Sequence, residues 1–409
     1  MWRSIGLSVT SRLIQLLTLF GVSITPLAAQ GLTLHDVVAF TLHHNPDIVS
    51  GRLRIDSAQA ERRIATSYPN PTLGASPGVP SQYSVSVPLD VGPPRVFRTR
   101  AAAQGRTASI LDSADVARQV VFAARQAFFD LLLADSLSRL AAQQRDIFQQ
   151  ILVTDSVRLR AGDVPESDVA QNELDLARAD ASLVRADATV RAARLTLQTV
   201  MGVEHPDTSF TVAGSLQYTA LDLHAATWLD TAYRTRPDLA AARVRVGQSA
   251  TVQSLATAQL VPVPTVNLVY QPAQPFASGY HYAPGIGLQI PFWNLYNGER
   301  ERARVGVALS QEVARKIQLQ IATDVVTAAD SLATAQVLAE RYSNGLLAKA
   351  THVMETARFS YNAGAVSLLD LLNAIGTYAN IKTEYFTAAH DYWVSAYALS
   401  RAVGRDLVP

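Results

Sequence analysis

The chain has no cysteine among its 409 residues. This absence excludes disulfide bonds, thiolate metal ligands, a thiol nucleophile and a lipid-modified cysteine behind a leader sequence. An excess of charge is also missing, because 35 basic and 34 acidic residues give a formal net charge of +1 and are interspersed along the chain. A chain without a basic run is not expected to bind nucleic acid.

Long apolar runs are missing beyond the N-terminus. Because a membrane-spanning helix needs about 20 mainly apolar residues, the mature chain could enter a membrane only through β-strands. The start has the layout of a secretory signal: Arg3 and Arg12 lead, an apolar stretch covers Leu13 to Ile24, and Ala28-Ala29-Gln30 follows. We predict a signal peptide over residues 1–30. The alternative, a membrane anchor, needs a longer apolar stretch.

Proline is absent from Arg95 to Arg160, and glycine occurs there once, at Gly105. At 1.5 Å per residue, this stretch predicts a helix on the order of 100 Å long, which no compact domain can bury. Glu299 to Tyr361 also lacks proline and predicts a matching long helix. Shorter helices are predicted after each of them, over Pro165 to Val200 and Ser367 to Val403.

Strands are predicted where prolines exclude helix. A first hairpin over residues 70–92 has room for two strands of about nine residues, and its run Tyr83 to Val87 alternates polar and apolar side chains. A second hairpin over residues 263–293 has strands at Pro264 to Tyr270 and Tyr282 to Phe292, joined around Ser278-Gly279. Aromatic residues cluster at this second hairpin, typical either of a membrane-interface girdle or of an ordinary aromatic core: Tyr270, Phe276, Tyr280, Tyr282, Phe292, Trp293 and Tyr296.

The same order of elements occurs twice along the chain. Asn45-Pro46-Asp47 returns as Arg236-Pro237-Asp238, and Arg160-Ala161-Gly162 returns as Asn362-Ala363-Gly364. We predict two structural repeats, residues 31–206 and 207–409, each with a helix, a β-hairpin, a long helix, a turn and a helix. The helix before the first hairpin is expected to bend near Pro46.

Four strands per chain cannot close a barrel, and an open sheet edge in lipid leaves backbone groups unpaired. Two chains would supply eight strands around a filled interior, whereas three would supply twelve around an aqueous lumen. The predicted fold is therefore an α+β membrane protein. Its duplicated long helical hairpins build an α-barrel, and its four strands contribute to a trimeric 12-stranded β-barrel.

These repeated motifs, with Pro88-Leu89-x-x-Gly92 and Pro291-Phe292 at the strand ends, resemble the outer-membrane efflux protein family over essentially all of the mature chain. The family comprises the TolC-like exit ducts of tripartite efflux or type I secretion systems. The resemblance implies a homotrimer in the cell outer membrane, with outer-membrane lipid around it and its helical barrel in the periplasm. It also implies a passive conduit whose partners are a periplasmic adaptor protein and an inner-membrane pump.

The resemblance assigns roles to residues at the helical turns. It implies that Gly162 and Gly364 lie at the periplasmic tip where the adaptor docks. It assigns Asp370, Tyr361 and Asp168 to the entrance constriction, and it gives Tyr361 a part in holding the tip closed. Asn373 departs from the family, since some members have a second acid there.

The residues themselves offer simpler roles for the same positions. A glycine that ends a helix can be a left-handed turn residue. Ser367-x-x-Asp370 is typical of a capping box, in which the aspartate bonds the backbone at a helix start. Asp168, which follows Pro165, is a candidate for the same role.

No feature predicts chemistry. The eight histidines include no pair at the His-x-x-x-His spacing of a helical zinc site, and the sequence has no nucleophile elbow or phosphate-binding loop. We therefore predict no catalytic residue, no cofactor and no metal, and the protein is not expected to be an enzyme. The alternative function is a secreted coiled-coil scaffold without a pore. It would need leucine heptads, whereas Arg118 to Ala124 has a broad apolar face.

Overall fold

The structure is a computed structural model in which residues 31–77, 81–207, 209–221, 227–272 and 281–408 are described. Three predictions fall outside this part of the chain: the signal peptide over residues 1–30, the turn at Ser278-Gly279, and the aromatic residues Phe276 and Tyr280.

Each half of the chain has the predicted order of elements. The first half has α1 (Leu34–His44), α2 (Pro46–Thr66), β1 (Thr72–Ser76), β2 (Gln82–Pro88), α3 (Pro93–Ala161) and α4 (Glu166–Met201). The second half has α5 (Trp228–Thr235), α6 (Pro237–Ala258), β3 (Pro264–Tyr270), β4 (Tyr282–Leu288), α7 (Asn297–Arg341), α8 (Leu347–Asn362) and α9 (Leu368–Val403). A π-helical turn, Tyr342–Leu346, joins α7 to α8.

The first long helix is confirmed, and α3 runs for 69 residues. It begins at Pro93, two residues before the predicted stretch that starts at Arg95. A proline in the first turn is tolerated because the N–H that it lacks would have no helical partner there.

The strands are shorter than predicted. The first hairpin has strands of five and seven residues instead of about nine. β4 ends at Leu288 and does not reach Phe292, because its ladder partner β3 begins at Pro264, directly opposite Leu288. A strand without a partner has no ladder bonds to hold it extended.

The second long helix is broken, so the prediction of one continuous helix over Glu299 to Tyr361 was wrong. Gly345 has φ 145°, a value outside the helical region, at the centre of the π-helical turn. Along α3 and α7, equivalent residues of the repeats are 201 positions apart before this turn, as with Gly105 and Gly306, and they are 202 apart after it, as with Gly162 and Gly364. The π-helical turn therefore absorbs one extra residue in the second repeat.

The predicted bend near Pro46 separates α1 from α2. Asn45 has an extended backbone, and its side-chain oxygen accepts hydrogen bonds from the N–H groups of Asp47 (2.8 Å) and Ile48 (3.3 Å). Its amide nitrogen donates to the carbonyl oxygen of Val200 at 2.7 Å. Asn45 thus caps the start of α2 and ties it to the end of α4.

The equivalent motif in the second repeat makes the same connection with a different side chain. The buried guanidinium of Arg236 donates to the carbonyl oxygen of Ala402, at 3.3 Å, and to the carboxylates of Asp238 and Asp324. The two recurring motifs, Asn45-Pro46-Asp47 and Arg236-Pro237-Asp238, therefore join the first and last helices of each repeat.

One antiparallel sheet contains all four strands, in the order β1-β2-β3-β4. β2 of the first repeat pairs with β3 of the second, with Ser86 opposite Asn267, so the repeats share the sheet. Within the described chain, β1 and β4 each have one unpaired edge. Tyr282 and Phe292 are exposed and Trp293 fully so, which means that they form no aromatic core within one chain.

The helices form a layer that is four helices wide. Near the sheet the order of contacts is α2-α3-α6-α7, and at the far end it is α4-α3-α9-α8. The main core lies midway and includes Phe128, Leu131, Leu197, Tyr392 and Leu399. Among the described helices, none is both long enough and apolar enough to cross a bilayer.

Candidate functional site at the helical tip

The two glycine turns lie at the same end of the molecule, called here the tip. Gly162 follows α3 with φ 81°, and Gly364 follows α8 with φ 76°. The guanidinium of Arg158 in α3 donates to the carbonyl oxygen of Asn362 at 2.8 Å, which joins the two turns. An added Cβ on either glycine would have no neighbour within 4 Å. Both turns are therefore open at the surface of the chain, and both glycines have the predicted left-handed backbone.

Asp370 caps α9 as predicted. Its backbone N–H donates to the hydroxyl oxygen of Ser367 at 3.2 Å, and its carboxylate accepts from the Ser367 N–H at 3.1 Å. The Ser367 hydroxyl also donates to the carboxylate at 2.6 Å, and this bond, together with the one from the Ser367 N–H, holds the pKa of the Asp370 carboxyl below its ordinary value. The carboxylate is exposed at the tip, one turn beyond Gly364.

Asp168 does not cap α4, so that prediction was wrong. The N-cap residue of α4 is Pro165, and no side chain forms a cap hydrogen bond there. A capping box needs a hydroxyl at the N-cap position, and proline has none where Ser367 supplies it in the second repeat. Asp168 lies in the first turn of α4, where its negative charge complements the helix dipole.

Tyr361 lies inside the chain, only 6% exposed. Its hydroxyl donates to one carboxylate oxygen of Asp155, Oδ2, at 2.6 Å. The amide of Asn172 donates to the same oxygen at 2.7 Å. Asp155 belongs to α3, Asn172 to α4 and Tyr361 to α8, and the first two are fully buried. One carboxylate therefore holds three helices together at the tip.

Arg158 completes this tip cluster, which we define as Asp155, Arg158, Asn172 and Tyr361. Its guanidinium lies over the Tyr361 ring, 5.2 Å from the centroid, and 3.8 Å from the second carboxylate oxygen of Asp155. Burial and the hydrogen bond to Asp155 raise the pKa of the Tyr361 hydroxyl, so it remains a donor at neutral pH. A small apolar cluster surrounds the group, including Ile151, Met354, Leu371 and Ile375.

Sequence reasoning identified Tyr361 but missed its partners. Asp155 lies four residues after the buried Ile151, so it continues the apolar face of α3. An acid at such a position is a signal of a buried polar contact, because a buried carboxylate needs donors. Its partner could not be identified, since 206 residues separate Asp155 from Tyr361.

Within the described ranges, no group of three or more His, Asp or Glu side chains could hold a metal ion. His224 lies outside these ranges.

The family described as "Outer membrane efflux protein" matches residues 38–203 and 228–405. The chain is 22% identical over 401 residues to the cobalt-zinc-cadmium resistance protein CzcC of Cupriavidus metallidurans, with 94% of each chain covered. Its fold is similar to the CmeC outer membrane channel of Campylobacter jejuni, with TM-score 0.78, 15% identity and coverage of 91% of this chain and 85% of CmeC.

It is likewise similar to the outer membrane protein VceC of Vibrio cholerae, with TM-score 0.75, 18% identity and coverage of 92% of this chain and 97% of VceC. The family match covers most of the chain and both repeats, and the folds agree over nearly their whole length. The chain therefore belongs to the outer membrane efflux protein family.

Proposed function

We propose that three copies of this chain close into an outer-membrane channel, the exit duct of a tripartite efflux system that opens at its helical tip. The observation that carries the proposal is that both edges of the chain are unfinished. β1 and β4 have unpaired edges, and α2 with α4 and α7 with α8 lie at the two sides of the helical layer. Joining unlike edges head to tail produces a ring.

The repeats indicate how the edges meet. Within one chain, α3 of the first repeat packs on α6 of the second. The equivalent pair, by the same repeat relation, is α7 of one copy and α2 of the next.

Exposed apolar side chains support this pairing. On α7, Val305, Leu309 and Val313 recur every four residues and are 53%, 65% and 45% exposed, and α2 exposes Leu53 and Ile64. Apolar stripes of this kind are typical of interfaces.

An ion pair offers a specific contact between copies. Arg245 of α6 pairs with Asp112 of α3. The repeat counterpart of Arg245 is Arg54 on α2, because the two are separated by the same 191 positions as Asn45 and Arg236. Arg54 is exposed. The counterpart of Asp112 is Val313 on α7, and Glu312 lies directly beside it. We expect Arg54 of one copy to face Glu312 of the next.

Three is the number that suits the sheet. Three copies supply twelve strands, enough to enclose an aqueous lumen, whereas two supply a barrel filled by its own side chains. The sequence has no nucleotide-binding motif, so the duct is a passive conduit without catalysis and an inner-membrane pump supplies the energy. The open glycine turns at Gly162 and Gly364 are the surface for the periplasmic adaptor.

The entrance is at the tip in this proposal. Asp168, Tyr361 and Asp370 all lie within the first or last turn of a helix there. The exposed Asp370 carboxylates narrow the opening and attract cations, whereas Tyr361 acts from inside the chain through Asp155.

Native mass spectrometry of the mature protein in detergent tests the proposal. We expect a trimer that Arg54→Glu weakens and that the charge-swapped pair Arg54→Glu with Glu312→Arg restores. Arg100→Glu is the matched control, because this exposed arginine lies on α3, an inner helix of the layer. A monomer or dimer that is soluble in buffer would contradict the channel and favour the coiled-coil scaffold.

A further inference from the structure

An arginine-lined cavity lies between α3, α9 and the C-terminal segment 404–406, away from the tip. Its volume is about 210 Å³, and four arginines line it: Arg118, Arg125, Arg401 and Arg405. The cavity lies far from the sheet. Arg118 follows the start of α3 at Pro93 by 25 residues, which corresponds to about 38 Å of helix.

Only two of the four positive charges are neutralised. Arg118 pairs with Asp115 at 2.5 Å, and Arg125 holds both carboxylate oxygens of Asp406, at 3.0 and 2.5 Å. In the described chain, neither Arg401 nor Arg405 forms an ion pair. The two carboxylates that act on Arg401 from farther away, those of Asp324 and Asp115, already pair with Arg236 and Arg118.

The same cavity has an unused hydrogen-bond donor and a guanidinium that lies over an aromatic ring. The Nε of Arg125 is buried without a hydrogen-bond partner. Arg401 lies over the Phe122 ring, 4.3 Å from its centroid. Burial, together with the positive charge of Arg118, lowers the pKa of Arg401. The first observation leaves a donor free for an anion oxygen, and the lowered pKa shows that Arg401 lies close to another positive charge.

The fold itself does not require these arginines. Applying the repeat intervals of 201 and 202 positions, the counterparts of Arg118, Arg125, Arg401 and Arg405 are uncharged: Leu319, Val326, Thr199 and Val203. The repeat relation assigns those residues to an equivalent contact between α7 and α4, which would have no arginine at these four positions. Arg118 donates to the carbonyl oxygen of Arg401 and Arg125 holds Asp406, which are packing roles, whereas the side chains of Arg401 and Arg405 form no hydrogen bond in the described chain.

We propose that this cavity binds a small free oxyanion, such as inorganic phosphate, through Arg401 and Arg405. The planar guanidinium group has two parallel N–H donors that match the oxygens of phosphate or carboxylate. The distance from the sheet removes lipid headgroups as the source of the anion. Since α3 and α9 are inner helices of the layer, the cavity is complete within one chain and is independent of the number of copies in the channel.

Isothermal titration of inorganic phosphate into the detergent-solubilised full-length protein tests the site, with sodium chloride at equal ionic strength as the reference. We expect phosphate binding that falls at least tenfold in the double variant Arg401→Gln with Arg405→Gln. The matched control carries Arg178→Gln and Arg185→Gln, two exposed arginines of α4, and should bind phosphate as the wild type does.

The single variant Arg405→Gln separates a loss of phosphate binding from misfolding, because this side chain is exposed and forms no ion pair in the described chain. Its affinity should fall several-fold while circular dichroism stays unchanged. Equal responses to phosphate and chloride in the wild type would overturn the proposal. Wild-type affinity in the double variant would overturn it as well.

Discussion

Replacing Tyr361 by phenylalanine removes one hydroxyl from the tip cluster and keeps the buried ring. Asp155 then loses one of its two hydrogen-bond donors while remaining fully buried. A hydrogen bond to a charged group contributes about 1.5–3 kcal/mol. The bond ties α8 to α3, so it favours a tip in which these helices stay together.

A loss of about 2 kcal/mol corresponds to a roughly 30-fold shift toward the open tip, since 1.4 kcal/mol is tenfold in an equilibrium constant. We expect single channels of Tyr361→Phe in planar bilayers to spend correspondingly more time in the high-conductance state. Asn172→Ala should act in the same direction, because it removes the other donor to Asp155.

Tyr378→Phe is the matched control for this measurement. The Tyr378 hydroxyl accepts a hydrogen bond from Lys382, four residues away on the same helix, so its loss unties no helices. We expect wild-type traces from this variant. If Tyr361→Phe also gave wild-type open times, the hydrogen bond from Tyr361 to Asp155 would not hold the channel closed, and this role of the tip cluster would be refuted.

Four further outcomes are expected. Arg236→Ala should lower the free energy of unfolding by about 3–5 kcal/mol, because it leaves two partly buried carboxylates without their cation; a loss below about 1 kcal/mol in denaturant titration would argue against this. Gly202→Ala should destabilise more than Gly162→Ala. Both substitutions place alanine in a left-handed backbone, which costs about 1–2 kcal/mol. Only at Gly202 would the new Cβ also lie 2.5 Å from a carbonyl oxygen of α1. Equal melting temperatures of the two variants would be evidence against this clash. Burial acts to lower the pKa of His390, but hydrogen bonds to two carboxylates outweigh it and raise the pKa above 6.5. The stabilisation by protonated His390 is therefore complete below pH 6.5 and is lost as pH rises through the folded pKa. His390→Gln should make the melting temperature depend less on pH over that window. An unchanged pH dependence would assign that dependence to another group. Asp370→Ala should raise conductance and weaken cation preference, whereas unaltered single-channel traces would reduce Asp370 to a helix cap.

Much of the architecture could be predicted because it depends on short-range effects. α3 is long because Arg95 to Arg160 has no proline to remove a backbone donor. The capping box at Ser367 and Asp370 forms within four residues. The break at Gly345 was missed because the prediction of a continuous helix relied on the absence of proline, although Asn344-Gly345 is a dipeptide typical of turns.

The candidate site divides in the same way. Gly162, Gly364 and Asp370 could be located from turns and caps, since these motifs are complete within a few residues. The tip cluster could not, because Tyr361 lies 206 positions from Asp155 and each side chain alone has several other roles open to it.

By itself, the sequence determined the duplicated order of helices and strands, their approximate lengths and the family. The tertiary structure decided which elements of the two repeats touch, with β2 beside β3 and α3 beside α6. It also brought four arginines into one cavity and one carboxylate between three helices. Helix and turn formation depends on neighbours along the chain, whereas packing depends on the summed contacts of distant surfaces, which no short stretch of sequence contains.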